Sequence, residues 1–118
     1  MKILKYLNIL NWFKQDYSSQ SRHSKWAKFK QELINKHPFC STCGTKKYLT
    51  VHHIYPVGWP DGKELELVEE NCIVICESFS HNCHFIFGHL LYWLSRNPDV
   101  VKDCEAFLKK IKNRPLNK

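Results

Sequence analysis

Four of the six cysteines form two pairs whose spacing can bind a metal ion. Cys40 and Cys43 are separated by two residues and followed by Gly44. Two thiolates at this spacing can bind one tetrahedral ion from a single turn, and the glycine lets the backbone fold back towards the sulfurs. Cys76 and Cys83 form a second pair with a longer gap. We therefore expect a structural zinc ion bound by all four thiolates.

The cysteines also admit other interpretations. His81 could replace Cys83 as the fourth ligand, although a thiolate is the softer anion and suits zinc better. Six cysteines could instead form three disulfides in a secreted domain, but the N-terminal residues make a poor signal peptide because polar residues interrupt the apolar run. A reducing compartment is therefore expected. Cys72 and Cys104 are interpreted as small buried residues.

Two adjacent histidines and a third beside a cysteine are further candidates for chemistry. His52 and His53 lie between the cysteine pairs, and His84 directly follows Cys83. Imidazole binds metal ions, and its unperturbed pKa also suits a general base near neutral pH. Because adjacent residues of a β-strand point to opposite faces, His52 and His53 can serve one site only where the strand end is irregular.

The segments that must position these residues predict a small α+β domain. Two short apolar segments, 49–54 and 72–76, are predicted strands. Proline and glycine residues between 56 and 62 predict a loop, because both residue types break regular structure. The expected order is helix, strand, long loop, strand, helix, helix.

Three helices are predicted to flank the strands. The first covers about 25–36 with Ser24 as its N-cap, the second covers about 84–94, and the third begins at Pro98 and ends near residue 111. The residues that the third helix is expected to bury are Val101, Cys104, Leu108 and Ile111.

Length and charge limit the classes of protein that remain. The chain has 118 residues, a net charge of +7 and 43% apolar residues, which excludes wholesale disorder. Residues 1–23 are interpreted as an N-terminal arm and linker, and 24–118 as one domain. No apolar stretch of about 18 residues is present that could span a bilayer. The basic balance favours polyanionic partners, with nucleic acid ahead of an anionic membrane surface.

The ordered set of these residues resembles the HNH endonucleases, whose core is the ββα-metal finger. The similarity covers about residues 24–100 and extends to flanking residues seen in bacterial and phage HNH proteins. The matching elements are, in order, Trp26, His37-Pro38, Cys40-x-x-Cys43-Gly44, Leu49-Thr50-Val51-His52-His53-Ile54-x-Pro56, Glu70-Asn71, Cys76, Cys83-His84 and Gly88-His89.

The resemblance implies a role for each polar residue. His53 is expected to be the general base, and His52 and His84 are expected to bind a catalytic divalent ion. Asn71 is expected to tie down the intervening loop by hydrogen bonds from its side chain to the backbone, and so to fix the base. His84 and Asn71 thus join His53 in the expected catalytic set.

Two features depart from the family pattern. Family members commonly have two residues between the second pair of cysteines, whereas residues 77–82 lie between Cys76 and Cys83. The insertion lengthens the turn from strand to helix. His89 lies five residues after His84, which is roughly 140° around an α-helix. A phosphate contact or a structural hydrogen bond is therefore expected for His89, unless the helix is distorted.

The expected function is the hydrolysis of DNA phosphodiester bonds by a zinc-stapled ββα-metal (HNH) nuclease. The alternative is a non-catalytic zinc module that binds nucleic acid. Imidazole ligands favour Mn²⁺, Ni²⁺ or Zn²⁺ as the catalytic ion, while Mg²⁺ at millimolar concentration stays open. The expected partner is DNA, in the cytoplasm of a bacterial cell or a phage-infected host, with no membrane. A homodimer or a larger phage or bacterial assembly is left open.

Overall fold

Two helices, two strands and one π-helical turn carry the candidate residues in the computed structural model, which describes residues 22–116. The expected N-terminal arm therefore lies almost wholly outside the described residues. The elements are α1 (Trp26–Lys36), β1 (Leu49–His53), β2 (Cys72–Cys76), the π turn (His84–Gly88) and α2 (Val100–Lys112), with 3₁₀ turns at Gly62–Leu65 and Glu69–Asn71. The prediction of a small α+β fold is confirmed. None of the helices within residues 22–116 is long and apolar enough to cross a bilayer.

The two strands form an antiparallel pair that divides the core. Leu49 lies opposite Cys76, so the side chains alternate regularly between the two faces of the pair. Val51 and Val74 pack on one face against Leu33 of α1. The opposite face belongs to a second apolar cluster that contains Ile73 and Ile75 together with the start of the loop after β1 and part of α2. The predicted strand boundaries agree with the structure to within one residue.

The start of α1 differs from the prediction. The helix begins at Trp26, and the Ser24 side chain does not cap it. The Nδ1 atom of His23 accepts a hydrogen bond from the Lys25 backbone N–H at 3.0 Å, and the His23 carbonyl accepts one from the Trp26 N–H at 2.9 Å. His23 therefore satisfies the amides for which Ser24 was expected.

The predicted helix over 84–94 is wrong in length. Only one π-helical turn forms, and it ends at Gly88. Leu90 and Leu91 then adopt left-handed backbone angles, with φ of 53° and 67°. A right-handed helix cannot continue through two such residues. The carbonyls at the end of the turn are bonded instead by Asn97, whose N–H donates to Gly88 and whose Nδ2 donates to Phe87.

Helix α2 begins two residues later than predicted and buries a different valine. Val100 and Cys104 are fully buried, whereas Val101 is exposed. Leu108 and Ile111 are half-buried. The burial of Val101 was a wrong prediction, because the face of α2 that packs on the core follows the four-residue spacing of Val100, Cys104 and Leu108, and Val101 lies at its exposed edge.

Candidate metal centres

The two cysteine pairs meet in one cluster. The sulfurs of Cys40, Cys43, Cys76 and Cys83 all lie within 4.8 Å of one another. The Cys43 and Cys76 sulfurs are 3.8 Å apart. A tetrahedral ion with thiolates at about 2.3 Å separates neighbouring sulfurs by about 3.8 Å, whereas a disulfide requires about 2.05 Å. The cluster can therefore hold a structural metal ion, and four thiolates are a ligand set typical of zinc.

A tight turn after α1 positions the first pair. The Cys40 N–H donates to the Thr45 carbonyl at 2.8 Å, and the Gly44 N–H donates to the Cys40 carbonyl at 2.9 Å. Gly44 has a φ of 82°, a left-handed conformation that glycine adopts without steric cost. The Thr42 N–H points at the Cys40 sulfur at 3.4 Å. This backbone donor stabilises a thiolate at Cys40.

The charges of the thiols indicate that the cluster is suited to a cation. A hydrogen bond from the Cys83 thiol lowers the pKa of Cys40 to about 4, and the same bond raises the pKa of Cys83. Burial raises the pKa of Cys43 to about 11. The Cys40 sulfur is therefore a thiolate near pH 7, whereas the Cys43 and Cys83 sulfurs stay protonated when no cation is bound. The raised pKa values of Cys43 and Cys83 mean that ionising these two thiols requires a bound cation, so metal binding must release protons.

The remaining cysteines and His81 lie outside this cluster. His81 is exposed, and it is its backbone carbonyl that accepts a hydrogen bond from the Cys76 thiol at 3.6 Å. Cys104 is fully buried and accepts a hydrogen bond from the Thr42 hydroxyl at 2.8 Å. Cys72 is half-buried in β2. His81 therefore does not take the place of Cys83.

Three imidazoles form a second cluster. Ring nitrogens of His52, His84 and His89 lie within 4.8 Å of one another. His52 Nδ1 is 3.0 Å from His84 Nε2, and the Nε2 atoms of His84 and His89 are 3.2 Å apart. Nitrogen ligands at about 2.0–2.1 Å from one ion are themselves about 3 Å apart. The two distances to His84 therefore fit a common metal ion, and the His52 and His89 nitrogens lie within 4.8 Å of each other.

The π turn is what brings His89 into this cluster. In an α-helix, His84 and His89 would lie on different faces, as their spacing in the sequence predicts. A π turn closes on the residue five positions further along, so His84 and His89 face the same side. π turns of this kind are frequent at functional sites.

Acceptors on the far side of two rings favour the tautomer that carries its hydrogen on Nδ1. His84 Nδ1 lies 3.1 Å from Glu77 Oε2, and a carboxylate accepts, so Nδ1 carries the hydrogen. His89 Nδ1 lies 3.0 Å from the Ser95 carbonyl, which also accepts. Both Nε2 atoms then present lone pairs to each other. Such a pair is repulsive unless a cation or a proton lies between the two nitrogens, and partners of this kind are typical of metal-binding histidines.

Arg96 offers a second protonation arrangement at the same ring. Its guanidinium contacts both ring nitrogens of His89 and donates to the Ser95 carbonyl at 3.1 Å. When Arg96 donates to Nδ1, the His89 Nε2–H donates to His84 instead. A bound metal ion requires the first arrangement, with the Nδ1–H on the Ser95 carbonyl.

The three rings are neutral near pH 7. Burial lowers the pKa of His52 well below its ordinary value, and the neighbouring His84 and His89 lower it further. Burial also lowers the pKa of His84, and it lowers the pKa of His89 to about 4. Neutral imidazole is the form that binds metal, so the cluster is ready to bind without first losing protons.

The His52 ring is held tightly by its surroundings. Its Nε2 atom is buried and has no hydrogen-bond partner among residues 22–116. A Cβ atom at Gly88 would lie 3.0–3.2 Å from three atoms of the ring. The glycine therefore leaves the space that the ring occupies against the π turn.

The structure does not bring His53 into the imidazole cluster. Strand β1 stays regular to its end, so His53 points to the opposite face and packs on Trp26, with ring centroids 4.7 Å apart. Its Nε2–H donates to the Glu66 carbonyl at 2.9 Å, which leaves the lone pair on Nδ1. Burial lowers the pKa of His53 to about 4. The irregular strand end that a shared site would need is absent from this described strand.

Asn71 lies at the junction of the loop and β2, and it is fully buried. Its Oδ1 accepts the Tyr55 N–H at 2.8 Å, while its Nδ2 donates to the carbonyls of Tyr55 at 3.0 Å and Leu65 at 3.3 Å. These side-chain bonds to the backbone join both ends of the loop between the strands. Glu66, which binds His53, belongs to that loop.

The charged groups that contact the imidazole cluster, Arg96 and Glu77, were not predicted from the sequence. Arg96 carried no signal in the sequence. Glu77 did carry one, because it follows Cys76 as His84 follows Cys83. The two cysteines meet in one cluster, so the residues directly after them are brought close together.

Comparisons with known proteins returned no relative. Neither a protein-family model, nor a curated protein, nor a solved structure matches the chain.

Proposed function

We propose that the chain is a metal-dependent endonuclease that hydrolyses DNA phosphodiester bonds. The observation that carries the proposal is the convergence of His52, His84 and His89. The Nε2 atom of His84 lies 3.0 Å from a His52 nitrogen and 3.2 Å from a His89 nitrogen, and all three rings have a nitrogen within 4.8 Å of the others. The resemblance to HNH endonucleases, which rests on the order of the residues in the sequence, supports the same function. The thiol cluster of Cys40, Cys43, Cys76 and Cys83 is proposed to bind a zinc ion that stabilises the fold around this site.

The residues around the imidazole cluster suit a phosphodiester. A divalent ion held by the three imidazoles would supply positive charge to the scissile phosphate and its leaving oxygen. Besides burial, the positive charges of Arg96 and Lys30 lower the pKa of His84, so both cations lie near enough to act on this cluster. Cations at these positions favour binding of the polyanionic backbone, independently of its base sequence.

The resemblance to HNH endonucleases supports His53 as the proposed general base, although its ring lies on the other face of β1 from the imidazole cluster. The Glu66 carbonyl accepts its Nε2–H, so the lone pair that would take a proton from water is the one on Nδ1. The pKa of about 4 keeps the ring neutral near pH 7. A phosphate anion bound nearby would raise that pKa towards neutrality, because an opposite charge favours the protonated ring. Asn71, through its bonds to the loop, is the proposed support for this orientation.

Cleavage of supercoiled plasmid with Mn²⁺ tests the proposal. We expect His53→Ala to reduce nicking by about 10²–10⁴-fold with DNA affinity largely unchanged, because a general base acts in the transition state. His84→Ala should also abolish nicking. His37→Ala is the matched control, since this exposed histidine lies outside the cluster. DNA binding without cleavage by the wild type would favour the non-catalytic module, and equal loss of binding and cleavage in His53→Ala would make His53 structural.

The metal preference tests the proposed ligands separately. Three neutral nitrogen donors favour Mn²⁺, Ni²⁺ or Zn²⁺ over Mg²⁺, which prefers hard oxygen. We expect nicking at low metal concentration with Mn²⁺ or Ni²⁺, and a shift towards Mg²⁺ in His52→Asp. A wild type that prefers Mg²⁺ at every concentration would show that His52 is not a ligand.

A further inference from the structure

The two clusters are joined by a pair of matching dipeptides. Cys76 ends β2 and is followed by Glu77, while Cys83 precedes the π turn and is followed by His84. Both cysteines belong to the thiol cluster, which consists of Cys40, Cys43, Cys76 and Cys83. The residues that follow them meet each other, with Glu77 Oε2 3.1 Å from His84 Nδ1. Each chain segment therefore contributes one residue to the thiol cluster, and the next residue either belongs to the imidazole cluster, as His84 does, or bonds to it, as Glu77 does.

We infer that Glu77 is the positioning residue of the imidazole cluster. Its carboxylate accepts the Nδ1–H of His84 and so holds the ring in the tautomer and orientation that present Nε2 to a divalent cation. The inference rests on the proposed metal site. It assigns a role to the first residue of the segment between Cys76 and Cys83, which the resemblance to HNH endonucleases leaves without one.

The backbone and the thiol cluster hold Glu77 in place. Its N–H donates to the Tyr48 carbonyl at 2.8 Å, which extends the pairing of the strands by one residue. Cys76 directly precedes Glu77 and Cys83 directly precedes His84, so the thiol cluster restricts the backbone at both ends of the Glu77–His84 hydrogen bond. The two side chains differ in exposure, with 45% of Glu77 and 17% of His84 accessible. The carboxylate thus reaches from the surface to a ring that is mostly enclosed.

The charge of Glu77 matters as well as its shape. An imidazole ligand carries no negative charge, so a cluster of three imidazoles offers none to offset a divalent ion. A carboxylate bonded to the outer nitrogen of a ligand raises the basicity of that ligand, and its removal typically weakens metal binding 10–100-fold. A glutamine at this position keeps an accepting oxygen but loses the charge.

Co²⁺ binding to the zinc-loaded chain tests the inference, read by visible absorption and calorimetry. We expect Glu77→Ala to weaken Co²⁺ binding by about 10–100-fold and to alter the visible Co²⁺ spectrum. Glu77→Gln should weaken it less, which is a partial rescue that a purely structural role would not give. Glu105→Gln is the matched control, because it removes one exposed carboxylate from α2 and should leave Co²⁺ affinity unchanged.

The possible outcomes separate this inference from the proposed function. Wild-type affinity in Glu77→Ala, beside a wild type that binds Co²⁺ through His84, would overturn the inference alone. A wild type whose Co²⁺ binding is unaffected by His84→Ala would overturn the metal site, and the inference with it. If Glu77→Ala loses its zinc, the Co²⁺ affinity of Glu77→Gln is the test instead. A Co²⁺ affinity of Glu77→Gln equal to that of the Glu105→Gln control would overturn the inference.

Discussion

Asn71 is the residue whose removal has the most calculable cost. It is fully buried, and its side chain makes three hydrogen bonds to backbone groups of Tyr55 and Leu65. Asn71→Ala removes all three bonds and leaves a buried N–H and a buried C=O of Tyr55 without this partner. Each lost bond is worth about 1 kcal/mol, so we expect a loss of about 3 kcal/mol in the free energy of unfolding. That is a large part of the roughly 5–15 kcal/mol available to a small domain.

Asn71→Asp separates hydrogen bonding from shape. The remaining carboxylate oxygen can still accept the Tyr55 N–H, but the oxygen that replaces Nδ2 faces two carbonyl oxygens. Two acceptors repel each other at such a distance, and burial disfavours the charge. We therefore expect this nearly isosteric variant to be destabilised at neutral pH by at least as much as Asn71→Ala.

Urea unfolding of the zinc-loaded protein measures both effects. A loss of about 3 kcal/mol should lower the midpoint by roughly 1–3 M, given the usual slopes for small proteins. Asn35→Ala is the control, because Asn35 is exposed on α1 and should change stability by less than about 0.5 kcal/mol. Cleavage should fall less in Asn71→Ala than in His53→Ala. An Asn71→Asp variant as stable as the wild type would refute the hydrogen-bond reasoning.

Three further predictions concern the clusters and pH. Cys40→Ser should lose bound zinc and fold poorly, whereas Cys72→Ser should keep one zinc per chain by atomic emission, and a stable zinc-free wild type would contradict this. Gly88→Ala should cost about 1–3 kcal/mol in thermal unfolding and weaken Co²⁺ binding, because the His52 ring must move; unchanged values would contradict the close packing. Since the pKa of His53 falls from 6.5 to about 4 on folding, its contribution to stability is present above pH 6.5 and lost as pH falls towards 4. Urea midpoints should show this decline, and His53→Gln should make it shallower.

The sequence was sufficient to predict the two strands because local and tertiary preferences agree there. Segments 49–53 and 72–76 are short, apolar and rich in β-branched residues, and turn-forming residues bound them. The cysteine pairs were predictable for a similar reason, since the ligand spacing carries the signal without knowledge of the fold. In both cases the pattern depends on a few neighbouring residues only.

The π turn could not be predicted in the same way. Residue propensities distinguish helix from strand, but they do not distinguish a turn that closes on the fourth residue from one that closes on the fifth. The early end of the helix was also hidden, because Leu90 and Leu91 adopt left-handed angles without being glycine. These features depend on tertiary contacts, such as the bonds from Asn97 to the carbonyls of Phe87 and Gly88.

The π turn is too short to be stable alone, so its position depends on what holds each end. A five-residue helical segment does not form independently in water. The thiol cluster holds its beginning through Cys83, and Asn97 bonds the carbonyls at its end. His84 and His89 lie between Cys83 and Asn97 in the chain, and His52 contacts them from strand β1. The geometry of the imidazole cluster therefore depends on the thiol cluster, although the two clusters share no side chain, because Cys83 and His84 are consecutive residues.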